Sequence, residues 1–313
     1  MQAGSGTSGR IQGRLGAALA NETQLQSWAL LGLLGIIWGT NFLFMKMALA
    51  AVPPLEVAWL RIVFGAAPIT LLALGRRLLS PGDWRYAHHF IVMALLAKIG
   101  PYVTFVYGAA HLPSGVAGVV SGAIPFVTAG VVVLALPAER LTKSKLAGLL
   151  AGFAGILLVV PLHRTEHARV SPILGAAMMV AGCISYALAL VYARRFVAPL
   201  NLSPVKLAAY QMLVATILLA PFATPGHWNA LADHLQALLA LVFGLGLLGT
   251  GVAFVLYYQL IQTLGAMRAA SVYYIPPVVA LAAGWAVAGE SITPLQALGA
   301  ALVLAGIFYA NQK

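Results

Sequence analysis

The stretch YIPPVVALAAGWAVAGESITPLQALGAALVLAGIFY, from Tyr274 to Tyr309, decides the fold. It holds two apolar runs, each close to the ~20 residues that span a bilayer. They meet at Gly289-Glu290, and adjacent prolines, Pro276 and Pro277, stand near the start. Moved back by 151 positions, the stretch falls without a gap on AIPFVTAGVVVLALPAERLTKSKLAGLLAGFAGILL, Ala123 to Leu158. Ile275-Pro276 then lies on Ile124-Pro125, Glu290 on Glu139, Thr293 on Thr142, Gly299 on Gly148, and Ala305-Gly306-Ile307 on Ala154-Gly155-Ile156.

The register extends outward. Gly251 falls on Gly100 and Tyr258 on Tyr107. At an offset near 150, PPLEVAWLRIVFG matches SPVKLAAYQMLVA, which sets Arg61 opposite Gln211. WGTNFLFMK, from Trp38 to Lys46, corresponds to YALALVYAR, from Tyr186 to Arg194. The chain is two copies of one unit.

Composition says what kind of unit. Of 313 residues, 61% are hydrophobic and 8% charged, against roughly 25% charged in a soluble domain. Mean hydropathy is +0.93. So few charges cannot cover a water-soluble protein of this size, and the chain reads as an all-α integral membrane protein. The runs do not alternate, which argues against a closed β-barrel. Ten spans are expected, at 28–49, 55–74, 87–110, 114–136, 145–162, 172–193, 204–222, 235–261, 266–288 and 294–311. Residues 1–27, rich in Gly, Ser and Gln, read as a disordered cytoplasmic tail. Residues 28–162 and 172–311 form the two five-helix repeats.

The net charge of +11 does not signal nucleic acid, because the bases sit in short clusters between apolar runs. With the N-terminus inside, one face receives Arg10, Arg14, Arg76, Arg77, Arg85, Arg140, Lys143, Lys145, Arg194, Arg195, Lys206, Arg268 and Lys313. The other receives Arg164 and Arg169. Lys and Arg concentrate on the cytoplasmic side of membrane proteins, so both termini are expected in the cytoplasm. Five spans per copy is an odd number, so the second copy is inverted. Inverted repeats characterise secondary transporters, with a site at the midplane where the halves meet.

Against this frame the prolines acquire a meaning. Proline removes a backbone donor and bends or breaks a helix, and a membrane tolerates such a break beside a cavity or a compensating neighbour. Pro125, Pro276 and Pro277 are therefore expected as matched hinges. Glu139 and Glu290 occupy the turn before the last helix of each half, each with a Thr three residues on, and are expected to be structural.

The same residues resemble the drug/metabolite transporter superfamily, in its EamA-domain branch. The resemblance rests on WGTNF in the first span, on Arg61, and on the AIPF…LPAERLTKSKLAG stretch echoed by YIPP…VAGESITPLQALG. It covers about 28–311 and implies ten helices around a central cavity. Within the branch the chain is similar to YddG-type exporters of amino acids. It departs from the small multidrug pumps, whose first span carries a glutamate; here that span offers Asn41 and Lys46. Proton-coupled export of lipophilic cations is not expected, and facilitated diffusion is the simplest mechanism.

A cavity for amino acids needs donors for a carboxylate, acceptors for an ammonium and adaptable apolar walls. Charges at membrane depth are functional candidates, which singles out Arg61 and Lys98. Lys46 and Glu56 lie nearer helix ends, where snorkelling to the interface is equally good an account. Asn41, Gln211 and Gln259 can supply neutral hydrogen bonds. Among the aromatic residues, Trp38, Trp59, Tyr102, Tyr107, Tyr186, Tyr258, Tyr274 and Trp285 are expected to bind substrate; Tyr210, Tyr257 and Tyr273 belong to the same group of spans.

Chemistry of other kinds is not expected. HRTEHAR, at 163–169, has no further Cys or His nearby, and Cys183 has no partner set, so neither a metal nor a cofactor is implied. No nucleotide loop or catalytic triad appears, and the chain is not expected to be an enzyme. The reading is a multi-pass protein of the bacterial inner membrane, monomer or homodimer, exporting amino acids or similar small metabolites by alternating access. Its alternatives are an obligate exchanger of phosphorylated sugars or nucleotide-sugars, and a non-transporting scaffold.

Overall fold

The computed structural model describes residues 5–135, 143–160, 171–223 and 227–310. Among the described residues the regular structure is entirely helical, with no strand. The elements are α1 (Ser5–Leu49), α2 (Pro54–Gly75), α3 (Ala87–Ala94), α4 (Gly100–His111), α5 (Ser114–Ser121), α6 (Ile124–Ala135), α7 (Lys143–Val159) and α8 (Pro172–Tyr192). There follow α9 (Pro204–Leu219), α10 (Trp228–Asp233), α11 (Leu235–Leu239), α12 (Ala253–Leu264), α13 (Ala266–Ala269), α14 (Ile275–Ala288) and α15 (Pro294–Ala310). Helices are what such a sequence must form in lipid, because they satisfy their own backbone donors and acceptors. Prolines open α2, α8, α9 and α15, where their missing N–H is no loss.

Among the described residues eight helical stretches are long and apolar enough to cross a membrane: Leu25–Leu49, Pro54–Gly75, Pro81–His111, Ser114–Val132, Pro172–Leu200, Pro204–Phe222, Leu235–Leu264 and Ala270–Ala288. Two shorter apolar helices, Leu146–Val159 and Pro294–Tyr309, lie where the fifth and tenth spans are expected. The structure differs from expectation at the N-terminus. Residues 5–27 continue α1 as helix rather than forming an irregular tail. No proline occurs before Pro53, and Ala17-Ala18-Leu19-Ala20 are strong helix formers.

The prolines do mark breaks. The fourth span stops at Ser121, turns through Gly122-Ala123 and restarts as α6 at Ile124-Pro125. The ninth begins as a 3-10 turn, Ala270–Tyr274, and becomes α14 at Ile275-Pro276-Pro277. These two points are the ones that the 151-residue offset superimposes.

A second irregularity is matched in the same way. The third span widens into a π-helix over Leu95–Ile99, and the eighth does so over Ala240–Val252. Shifted by 151, the first segment falls inside the second. π-Helical turns recur at functional sites.

Small residues set how closely the helices approach. α7 and α15 face each other, and a Cβ at Gly155 would stand 2.6 Å from the Gly299 carbonyl oxygen. The glycines at small-xxx-small spacing thus join the last helix of each half to the other within one chain. Their opposite faces, with Leu150, Phe153, Leu295, Leu298 and Phe308, are exposed. Gly35 and Gly39 of α1 admit Ile275 and Val279 of α14, and so bring the first span against the broken ninth. Glu139, Arg140 and the stretch 163–169 lie outside the described residues.

Candidate functional site

At the crossing of these helices lies a cavity of about 100 Å³, room for several waters at ~10–15 Å³ each. α1 contributes Trp38, Asn41, Phe42 and Met45 from one face. Arg61 comes from α2, Tyr102 and Phe105 from α4, and Tyr186 from α8. The fourth-span break contributes Ser121, Gly122 and Ile124; the ninth-span break contributes Tyr273 and Pro276. The widened eighth span supplies Gly249, and Phe254 follows it. Both breaks and one of the two widened segments thus border the same space.

Among the described residues Arg61 is the one charged side chain in that wall. It is 5% exposed, and its Nε–H donates to Thr250 Oγ1 at 2.9 Å. The Thr250 hydroxyl in turn donates to the Leu245 carbonyl at 2.8 Å. Its single proton is committed there, so its oxygen must accept from Arg61. The guanidinium carbon sits 4.3 Å from the centroid of the Tyr102 ring. The π-helical segment therefore aims the guanidinium through Thr250, and Tyr102 supports it from one face.

The alignment leaves polar atoms unused. Asn41 Oδ1, Arg61 Nη1 and Tyr102 Oη are buried without a hydrogen-bond partner among the described residues, and all three residues line the cavity. Two further such atoms, Thr70 Oγ1 and Thr216 Oγ1, belong to residues outside it. An unpaired buried polar group costs about 1–3 kcal/mol. A ligand bringing an acceptor to Arg61 and a donor to Asn41 would remove that cost.

The opposite part of the wall is aromatic. Trp38 stacks on Tyr273, with centroids 5.6 Å apart and planes at 22°. It also meets Tyr257 at 5.4 Å and Phe254 at 6.3 Å. Such faces accept an apolar side chain or, by cation–π attraction, an ammonium group. Asn41 is held by Gly249: its Nδ2 donates to the Gly249 carbonyl at 3.4 Å, and a Cβ at Gly249 would fall on Asn41 Oδ1.

Of the residues expected to bind substrate, Trp38, Asn41, Arg61, Tyr102 and Tyr186 surround this cavity, and the hinge residue Pro276 joins them. The others lie elsewhere. Trp59 donates its ring N–H to the Thr216 carbonyl at 3.0 Å, which ties α2 to α9. Lys98 is 2% exposed behind the cavity wall, its Nζ 3.4 Å from the Phe254 ring centroid. Tyr274 donates to the Ile307 carbonyl at 3.1 Å and fastens the 3-10 turn ahead of α14 to α15. The Tyr107 carbonyl receives His111. Gln211 is buried away from the cavity, and Tyr258 packs beside Phe254. Gln259 and Trp285 are exposed, Trp285 at 65%.

Phe42, Met45, Phe105, Ser121, Gly122, Ile124, Gly249 and Phe254 were not expected in the wall. Most are residues that any apolar helix carries. Gly249 belongs to a visible run, Gly244, Gly246, Gly249 and Gly251, whose density signals close approach of another element.

The EamA-like transporter family matches residues 26–160 and, a second time, 173–312. The uncharacterized inner membrane transporter YedA of Escherichia coli is 28% identical over 274 residues, 86% of this chain and 85% of that one. A probable amino-acid metabolite efflux pump of Salmonella typhimurium is 26% identical over 293 residues, 87% of this chain and 90% of that one. One solved crystal structure shares the fold at a TM-score of 0.61 and 23% identity, covering 90% of this chain and 95% of the other.

Proposed function

This chain belongs to the EamA-like transporter family of multi-pass membrane proteins, and on that basis we propose that it exports amino acids or similar small metabolites by alternating access. The observation that carries the reading is the trio of unpaired atoms on Asn41, Arg61 and Tyr102 around one cavity. A zwitterion completes it. The carboxylate accepts from Arg61 Nη1 and Tyr102 Oη; the ammonium donates to Asn41 Oδ1 or lies against the Trp38 and Tyr273 faces. The Salmonella relative described as an amino-acid metabolite efflux pump supports the same substrate class.

The mechanism follows from the matched halves. Ten spans in two inverted repeats, 28–162 and 172–311, would rock about the cavity, with Pro125, Pro276 and Pro277 as bending points. Among the described residues no carboxylate lines the wall, which supports movement down the substrate gradient. The charge bias of the loops supports cytoplasmic termini, and the description of YedA supports the inner membrane.

Proteoliposomes loaded with an equimolar mixture of the twenty amino acids test this. Release of a subset faster than from empty liposomes, and slowed by Arg61→Gln and by Trp38→Ala, is the expected result. Equal release of all twenty would sink the proposal. Exchange of phosphorylated sugars is the second reading. A single cation suits one carboxylate better than a dianionic phosphate, and an absolute requirement for substrate on the far side would favour the exchanger.

A further inference from the structure

A second cavity, of about 560 Å³, opens beyond the first towards the end of α1 remote from the N-terminus. Lys46, Leu49, the 50–54 loop and His227 form much of its wall. In the orientation proposed above it is the outer mouth. The two cavities share a helix face. Trp38, Asn41, Phe42 and Met45 border the central cavity, and Lys46 and Leu49 border the outer one. Positions 38, 41, 42, 45, 46 and 49 form one continuous stripe at helical spacing. The neighbours at the changeover differ sharply: Met45 is 1% exposed, while Lys46 is half-buried.

In the outer cavity as in the inner one a base lines the wall, and among the described residues no carboxylate is in direct contact with it. Lys46 makes no hydrogen bond or ion pair among the described residues. Two carboxylates are near, and both are engaged. Glu56, 5% exposed, meets His227 Nδ1 at 3.0 Å. Glu290, which attracts Lys46 through space, accepts from Ser114 and Gly115 with its two oxygens. A structural lysine at a helix end would be expected to pair with one of them or to reach open water. Lys46 makes no such pair and lines the open cavity together with His227 and the loop at 50–54.

We infer that the outer cavity is a second station on the transport path, in which Lys46 holds the carboxylate of the substrate after it leaves Arg61 and before it enters the medium. Met45 is the closure between the stations. The inference rests on the reading of the central cavity as the substrate site. Substrate crosses apolar wall between Arg61 and the exterior; a cation part way divides that crossing into two shorter ones. Attraction to an accessible cation is screened by salt, with a Debye length of about 10 Å at 0.1 M, whereas the buried Arg61 is shielded from it.

The test is efflux of the twenty-amino-acid mixture from proteoliposomes, read by mass spectrometry, beside equilibrium binding of the same mixture to detergent-solubilised protein. Lys46→Gln is expected to keep binding within about twofold and to slow efflux about tenfold or more. The unaltered protein's efflux should fall between low and high salt, Lys46→Gln should lose that fall, and Lys46→Arg should restore both. Efflux and salt dependence unchanged in Lys46→Gln would overturn the inference. So would a parallel loss of binding and efflux, which would put Lys46 in the central site. Arg61→Gln separates the two readings: unaltered binding there refutes the central site, whatever Lys46→Gln does.

Discussion

Glu290 holds Ser114 by both of its donors, the backbone N–H at 2.6 Å and the hydroxyl at 2.8 Å, across 176 positions of chain. Its other oxygen accepts from the Gly115 N–H at 2.9 Å. The turn between α14 and α15 thereby caps the first turn of α5, where helix N–H groups are otherwise unpaired and negative charge is favoured. Glu290→Ala strands three donors and should lower stability by about 1–3 kcal/mol, read as a lower Tm in detergent. Glu290→Gln, which keeps one acceptor but turns an amide donor towards donors, should fall between.

Arg61 depends on Thr250 for its aim. Arg61→Gln should weaken amino acid binding about ten- to hundredfold, the loss of one charge-assisted hydrogen bond of ~1.5–3 kcal/mol. Arg61→Lys should not rescue it, because an ammonium cannot hold Thr250 and present a planar fork to the carboxylate together. Thr250→Val should cost less than either. Titration calorimetry on the purified protein measures all three.

Gly249 has no room for a methyl group, whereas a Cβ at Gly32 would meet nothing within 4 Å. Gly249→Ala should push Asn41 from its place, at about 1–3 kcal/mol for overpacking, and weaken binding as well. Gly32→Ala should leave binding unchanged and raise the Tm slightly, since alanine favours helix over glycine by up to ~1 kcal/mol. Comparison of the two isolates the contact from the change of residue type.

Lys98 is buried, and Phe254 is the partner its amine faces, by cation–π contact at 3.4 Å. Such a contact is worth about 2 kcal/mol when desolvated, less than the several kcal/mol lost on burying a charge. Lys98→Met, close in volume and apolar, should therefore raise the Tm in detergent. A lower Tm would mean that the ammonium is better satisfied than its contacts indicate.

The repeat and its breaks were legible because they depend on prolines, glycines and an acid, each of which acts on the backbone or on a helix end. Which residues face the cavity was far less so. In a span apolar on every side, hydrophobicity does not mark the inward face, and Trp59 and Trp285 look as suitable as Trp38. Their fates differ through contacts that no pattern predicts: a carbonyl of α9 for Trp59, an exposed position for Trp285. The π-helical segments add a second obstacle. They rotate everything beyond Leu95 in the third span and beyond Ala240 in the eighth relative to a regular helix. Lys98, singled out for its charge at membrane depth, lies behind Phe254 rather than in the cavity wall, and Phe254 carries no charge to mark it.

Those widened turns also bear on ancestry. A π-helical turn arises when a helix carries one residue more than its regular winding holds. Leu95–Ile99 has one and Ala240–Val252 another at the corresponding place, in two segments that match the same family separately. A common origin of the two family segments accounts for a surplus residue at the same place in both. At that shared place the two copies now differ, for Gly249 stands where Lys98 stands in the first.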